Sequence, residues 1–103
     1  MSARLQALLG AVESLPSDPF PRYGLAMEYK GLGRKEEAAD TFRVLLDRHP
    51  DYVPAYLQAG TLLAEMGRVE DARAVLGRGV EVAHSKGDAH AKSELLAALS
   101  GVS

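Results

Sequence analysis

The chain has no cysteine, so a disulfide framework, a thiolate nucleophile and a cysteine-built metal site are all excluded. That absence fits a reducing, cytoplasmic setting. Basic charge is not in excess either. Twelve Lys and Arg are set against fourteen Asp and Glu, a formal net charge of −2, whereas a nucleic-acid binder held by phosphate contacts needs the opposite balance. Basic residues are interspersed with acids, as on a solvated helical surface. No stretch approaches the ~20 apolar residues of a membrane span. Aromatic residues make up only 6% of the chain, as in helices built from Ala and Leu. No segment alternates apolar and polar with the period of two that marks a strand.

Signals for catalysis are missing as well. His49, His84 and His90 are the only histidines; no two lie four apart, and no cysteine is there to complete a zinc set. Gly31 and Gly33 fall at a helix–helix turn with no strand before them, so they are not a dinucleotide fingerprint, and no phosphate loop or nucleophile elbow appears. Glu36-Glu37 and Glu70-Asp71 open helices, where acids complement the N-terminal dipole. The sequence reads as a non-enzyme with no cofactor and no metal.

What the chain does have is a repeat. Gly33-Arg34-Lys35-Glu36-Glu37-Ala38 returns 34 residues later as Gly67-Arg68-Val69-Glu70-Asp71-Ala72. Ala26 and Tyr29 precede the first copy as Gly60 and Leu63 precede the second, and Phe42 and Leu76 follow. A period of this length means stacked two-helix units, neither able to bury its apolar face alone.

Six helices follow from the spacing. Leu5, Leu8, Leu9, Val12 and Leu15 predict an amphipathic helix over 2–14 rather than a signal peptide, because the apolar run is short, is broken by Gln6 and lacks a cleavage site. Asp18 predicts an N-cap for a second helix, with Pro19 where a missing N–H costs nothing. Leu25, Tyr29 and Leu32 form its inner stripe, and Gly31 and Gly33 end it. A third helix runs over 35–48 and stops at His49-Pro50. Asp51-Tyr52-Val53-Pro54 opens a fourth as Asp18 to Pro21 opened the second, although this echo is offset by 33 residues rather than 34. A fifth runs over 69–84 and breaks at Ser85-Lys86-Gly87. Asp88 caps a sixth, with Ala91, Leu95, Leu99 and Val102 inward. The short loops make sequential helices antiparallel neighbours.

These residues resemble the tetratricopeptide repeat. Its pattern of a small residue, a large apolar residue, a turn glycine, an early alanine, a later aromatic and a closing proline is met by Ala26, Tyr29, Gly33, Ala38, Phe42 and Pro50. Gly60, Leu63, Gly67, Ala72 and Leu76 meet it a second time, with His84 in place of the proline. The resemblance implies an all-α fold of antiparallel helix-turn-helix repeats in one domain, 1–103. Its parts are a helix over 1–15, repeats over 19–52 and 53–86, and a capping helix over 88–101. It also implies a concave groove lined by the first helix of each repeat, here by Tyr23, Met27, Lys30, Leu57, Thr61 and Ala64. The expected partner is a protein or peptide, with Tyr23 and Met27 as exposed, adaptable contacts. The alternative is self-assembly, a homo-oligomer formed through the groove or an open repeat end. The family's clamp for acidic chaperone C-termini is not carried over, since Tyr23, Met27, Gln58 and Thr61 stand in its places. The first helix is itself a possible occupant of the groove, in its own chain or, by swapping across Leu15-Pro16-Ser17, in a neighbour's.

Overall fold

Each helix starts and stops where local chemistry satisfies its free backbone groups. In the computed structural model, which describes residues 2–102, α1 spans Ala3–Ser14, α2 Pro19–Gly31, α3 Lys35–Arg48, α4 Val53–Glu65, α5 Val69–Ser85 and α6 Ala89–Ser100. No strand occurs among the described residues. Ser2 accepts from the Leu5 N–H, Asp18 from the Phe20 N–H and Asp88 from the Ala91 N–H, each at 3.0 Å. These side chains replace the intrahelical partners that a first turn lacks.

Gly33, Gly67 and Gly87 have φ of 77°, 79° and 69°, the left-handed region that a side chain disfavours. At each, the glycine N–H and the next N–H reach back to two last-turn carbonyls. Gly33 donates to Lys30 and Arg34 to Tyr29; Gly67 donates to Ala64 and Arg68 to Leu63; Gly87 donates to His84 and Asp88 to Ala83. This double closure ends a helix and reverses the chain within three residues.

The entry to α4 differs from expectation. Tyr52, not Asp51, is the N-cap, and it makes no side-chain cap bond. The carbonyl of Asp51 instead accepts from Lys86 Nζ at 3.0 Å. Helix starts at 19 and 53, and at 35 and 69, keep the full 34-residue period. The 33-residue echo therefore arises because the second proline stands one place nearer its helix start. Proline tolerates either position, since neither needs its N–H.

The chain divides into two compact units, Met1–His49 and Pro50–Ser103. In the first, α1 packs on α2 and α2 on α3, around Leu5, Ala26, Ala38, Phe42 and Leu45, each at most 1% exposed. In the second, α4 packs on α5, and α6 lies against both. Its fully enclosed side chains include Tyr56, Leu62, Leu76 and Leu95. Gly60 and Gly79 let these helices approach closely. A Cβ at Gly60 would fall 2.4 Å from Leu76 Cγ, and one at Gly79 would fall 2.6 Å from Tyr56 Cβ. Of the inner stripe expected for α6, Leu95 is buried, whereas Ala91, Leu99 and Val102 are half-buried.

Candidate functional site

On α2, residues 23, 27 and 30 follow i, i+4, i+7 spacing and share one face. Tyr23, Met27 and Lys30 are all half-buried there, rather than exposed as expected of Tyr23 and Met27. The Tyr23 ring stands edge-on to Phe42, centroids 6.4 Å apart and planes at 63°, so part of its surface belongs to the α2–α3 core. Phe20, one turn before Tyr23, is 68% exposed and extends the same side of the helix. Sequence reading passed over it, although its i−3 and i−7 relation to Tyr23 and Met27 was the available signal. Beyond Lys30, the Arg34 guanidinium lies 5.0 Å from the Tyr29 ring centroid and pairs with Glu37.

On α4 the corresponding face carries Leu57, Thr61 and Ala64, again all half-buried. Thr61 Oγ1 donates to the Leu57 carbonyl at 2.9 Å and lies 3.2 Å from that of Gln58. Its polar atom is satisfied within its own helix, which leaves this stripe largely apolar. The α2 stripe, by contrast, carries two large rings, a thioether and a cation.

Helix α1 rests on a different flank of α2. A Cβ at Gly24 would meet Leu8 Cδ2 at 3.1 Å, and Arg4 Nε donates to Glu28 Oε1 at 3.0 Å. Gly24 and Glu28 each follow a stripe residue directly, so these contacts lie about 100° round the helix from Tyr23 and Met27.

Two buried ring or charge positions have shifted ionisation. Burial pushes the Tyr56 phenol up, opposed by Arg78 and reinforced by Asp51, and its hydroxyl donates to the Pro50 carbonyl at 2.5 Å. Burial lowers the pKa of Arg22, and Arg48 lowers it further. The three histidines differ in their contacts. His84 Nδ1 is 3.0 Å from Lys92 Nζ, and His90 is 3.3 Å from Glu94. His49 Nε2 is buried without a partner. Among the described residues no three metal-ligating side chains come together, and no helix is long and apolar enough to cross a membrane. Glu36, Glu37, Glu70 and Asp71 occupy first turns, and Glu37 and Asp71 pair with Arg34 and Arg68.

The model of the tetratricopeptide repeat family matches residues 31–99. A tetratricopeptide repeat domain protein from Salinibacter ruber, solved in solution, is 36% identical with a TM-score of 0.79, over 84% of this chain and 88% of that one. The crystal structure of the Salinibacter ruber domain gives 36% identity and a TM-score of 0.76 over 80% and 92%. A protein of Bordetella parapertussis, also solved in solution, is 25% identical with a TM-score of 0.81 over 99% and 89%. No curated protein matches the chain. The repeat, the turn geometry and these likenesses agree: the chain belongs to the tetratricopeptide-repeat family, whose domains are in general protein–protein interaction modules.

Proposed function

We propose that this chain is a non-catalytic, cytoplasmic protein-binding module that takes a peptide or helix against the stripes of its first helices. Tyr23, Met27 and Lys30 on α2 are the contacts in one repeat, and Leu57, Thr61 and Ala64 on α4 are those in the other. Phe20 joins the first set. The observation that carries this reading is Phe20, a large ring 68% exposed at the head of a stripe of half-buried apolar residues. An aromatic anchor beside adaptable methionine suits an apolar or amphipathic segment. The helical fold fits the role, because repeat units of this kind present rigid surfaces.

The test substitutes each stripe separately, Met27→Glu and Leu57→Glu, in a chain whose helicity is checked by circular dichroism. Proteins captured by the wild type should be lost from one or both folded variants. Capture unchanged by both substitutions would refute the stripes as the binding surface. Self-assembly is the second reading. It draws on Leu96, 46% exposed on α6 beside the enclosed Leu95. Sedimentation over a range of concentrations separates the two: a mass that stays monomeric removes self-assembly.

A further inference from the structure

Arg22 and Tyr56 hold the same place in two copies of one plan, each the fourth residue of its helix. Tyr56 buries its ring and satisfies its hydroxyl on Pro50. Arg22 is only 9% exposed, and its Nη1 is buried with no hydrogen-bond partner. The neighbouring acids in sequence are engaged elsewhere: Asp18 caps the Phe20 N–H, and Asp47 pairs with Arg43 at 3.7 Å. Among the described residues Arg22 makes no ion pair.

Its surroundings are positive as well. Arg22 sits at the start of α2, where the helix dipole disfavours a cation. The charge acting on it is another arginine, Arg48, the last residue of α3. Because α2 and α3 are joined by a tight reversal, the start of one and the end of the other share an end of the unit. His49 is at that end too, and its Nε2 is the other buried polar atom lacking a partner. Burying an unpaired guanidinium is costly. An oxyanion would relieve the unpaired donor, the arginine–arginine repulsion and the dipole together.

We propose that Arg22, Arg48 and His49 form an anion site at this end of the first unit, which takes a carboxylate from an acidic segment of a partner protein. The planar Arg22 guanidinium has the two-pronged donor geometry that matches a carboxylate. Arg48 is exposed and supplies a second cation, and His49 Nε2 is a further donor when it carries the proton. The site uses none of the stripe residues. It rests on the general reading of the chain as a protein-binding module, not on where the apolar segment docks.

The experiment titrates the full chain with a capped oligoglutamate peptide, a capped Gly-Ser peptide and inorganic phosphate, followed by amide NMR. Oligoglutamate should bind, weaken as salt rises and shift the amides of Arg22, Arg48 and His49, whereas the Gly-Ser peptide should not. Arg22→Met and Arg48→Gln should each weaken it about tenfold or more, and Lys35→Gln, an exposed charge in the same unit, should not. Arg48 is exposed, so its variant folds even if Arg22→Met does not. The proposal is overturned if oligoglutamate does not bind, if Lys35→Gln weakens it as much as Arg48→Gln, or if phosphate binds and oligoglutamate does not. None of these outcomes depends on Met27 or Leu57, so failure here leaves the stripe reading standing, and the reverse holds.

Discussion

Positions 34 residues apart in the two units hold different volumes. The first has Arg22 on α2, with Phe42 and Leu45 on α3; the second has Tyr56 on α4, with Leu76 and Gly79 on α5. The ring has moved from the second helix of the pair to the first. The smaller residues opposite it make the move possible: Gly79 leaves space against Tyr56, and Gly60, where the first unit has Ala26, leaves space against Leu76. Interiors packed to crystal-like density accept such exchanges only when volume is conserved across neighbours. The repeat therefore preserves its helix starts and glycine turns more strictly than the identity of any one core residue.

The first and largest test removes the ring from the first unit. Phe42 is 1% exposed and meets Tyr23 edge-on. Phe42→Ala should cost about 3–5 kcal/mol in denaturant unfolding. A loss below about 1 kcal/mol would mean that the ring is not the centre of that core. In the second unit the same step, Leu76→Ala, should cost about 2–5 kcal/mol.

Next comes the close approach that only the second unit uses. A Cβ at Gly79 would fall 2.6 Å and 2.9 Å from the Cβ and Cγ of Tyr56, atoms near the backbone that cannot swing aside. Gly79→Ala should therefore lower stability by about 1–3 kcal/mol, despite the better helix propensity of alanine. Gly77, two residues earlier on α5, has nothing within 4 Å of its Cβ position. Gly77→Ala should raise stability by about 0.5–1 kcal/mol through propensity alone. Thermal melts of the two variants should shift in opposite directions, and shifts of the same sign would break the account.

Smaller effects are expected at Arg22 and Tyr56. Tyr56→Phe removes one hydrogen bond, to the Pro50 carbonyl, and should cost about 1 kcal/mol. Arg22→Met removes a buried charge with an unpartnered nitrogen while keeping most of the apolar stem. It should be neutral or stabilising by up to about 1 kcal/mol. A clear loss at Arg22 would show that the guanidinium contributes to the fold in its own right.

The architecture was legible because its punctuation is chemical. Gly33, Gly67 and Gly87 take a backbone conformation that favours glycine, and Asp18 and Asp88 cap as their positions suggest. Core positions such as Ala38 and Ala72 followed from the period. Three features did not. Asp51 has the residue type of a cap but is turned to Lys86, a contact made between residues 35 apart in sequence. Arg22 reads as surface by its charge, yet it is only 9% exposed. Among the stripe residues, spacing put each set on one helix face. The degree of exposure escaped it, because that depends on neighbours such as Phe42 beside Tyr23.

The smallest expected effect is electrostatic and compares the two helix starts that the repeat duplicates. Arg34–Glu37 and Arg68–Asp71 are both i,i+3 pairs near the surface. In the first, the hydrogen bond from Arg34 holds the Glu37 carboxyl below its usual range, opposed by burial and assisted last by the Arg34 charge. The same contact raises Arg34. A carboxylate whose folded pKa is depressed contributes stability above its unfolded pKa and loses it as pH falls through the folded value. Glu37→Gln should therefore lower the melting temperature slightly at neutral pH, and the gap to wild type should close on acidification. Because the pair is exposed to solvent, the gap should also shrink as salt is added. Melts of the two proteins from neutral to acidic pH, at low and high salt, check this. A difference that persists unchanged once Glu37 is protonated would mean that its role at the start of α3 is packing or propensity, and that the ion pair with Arg34 contributes nothing to stability.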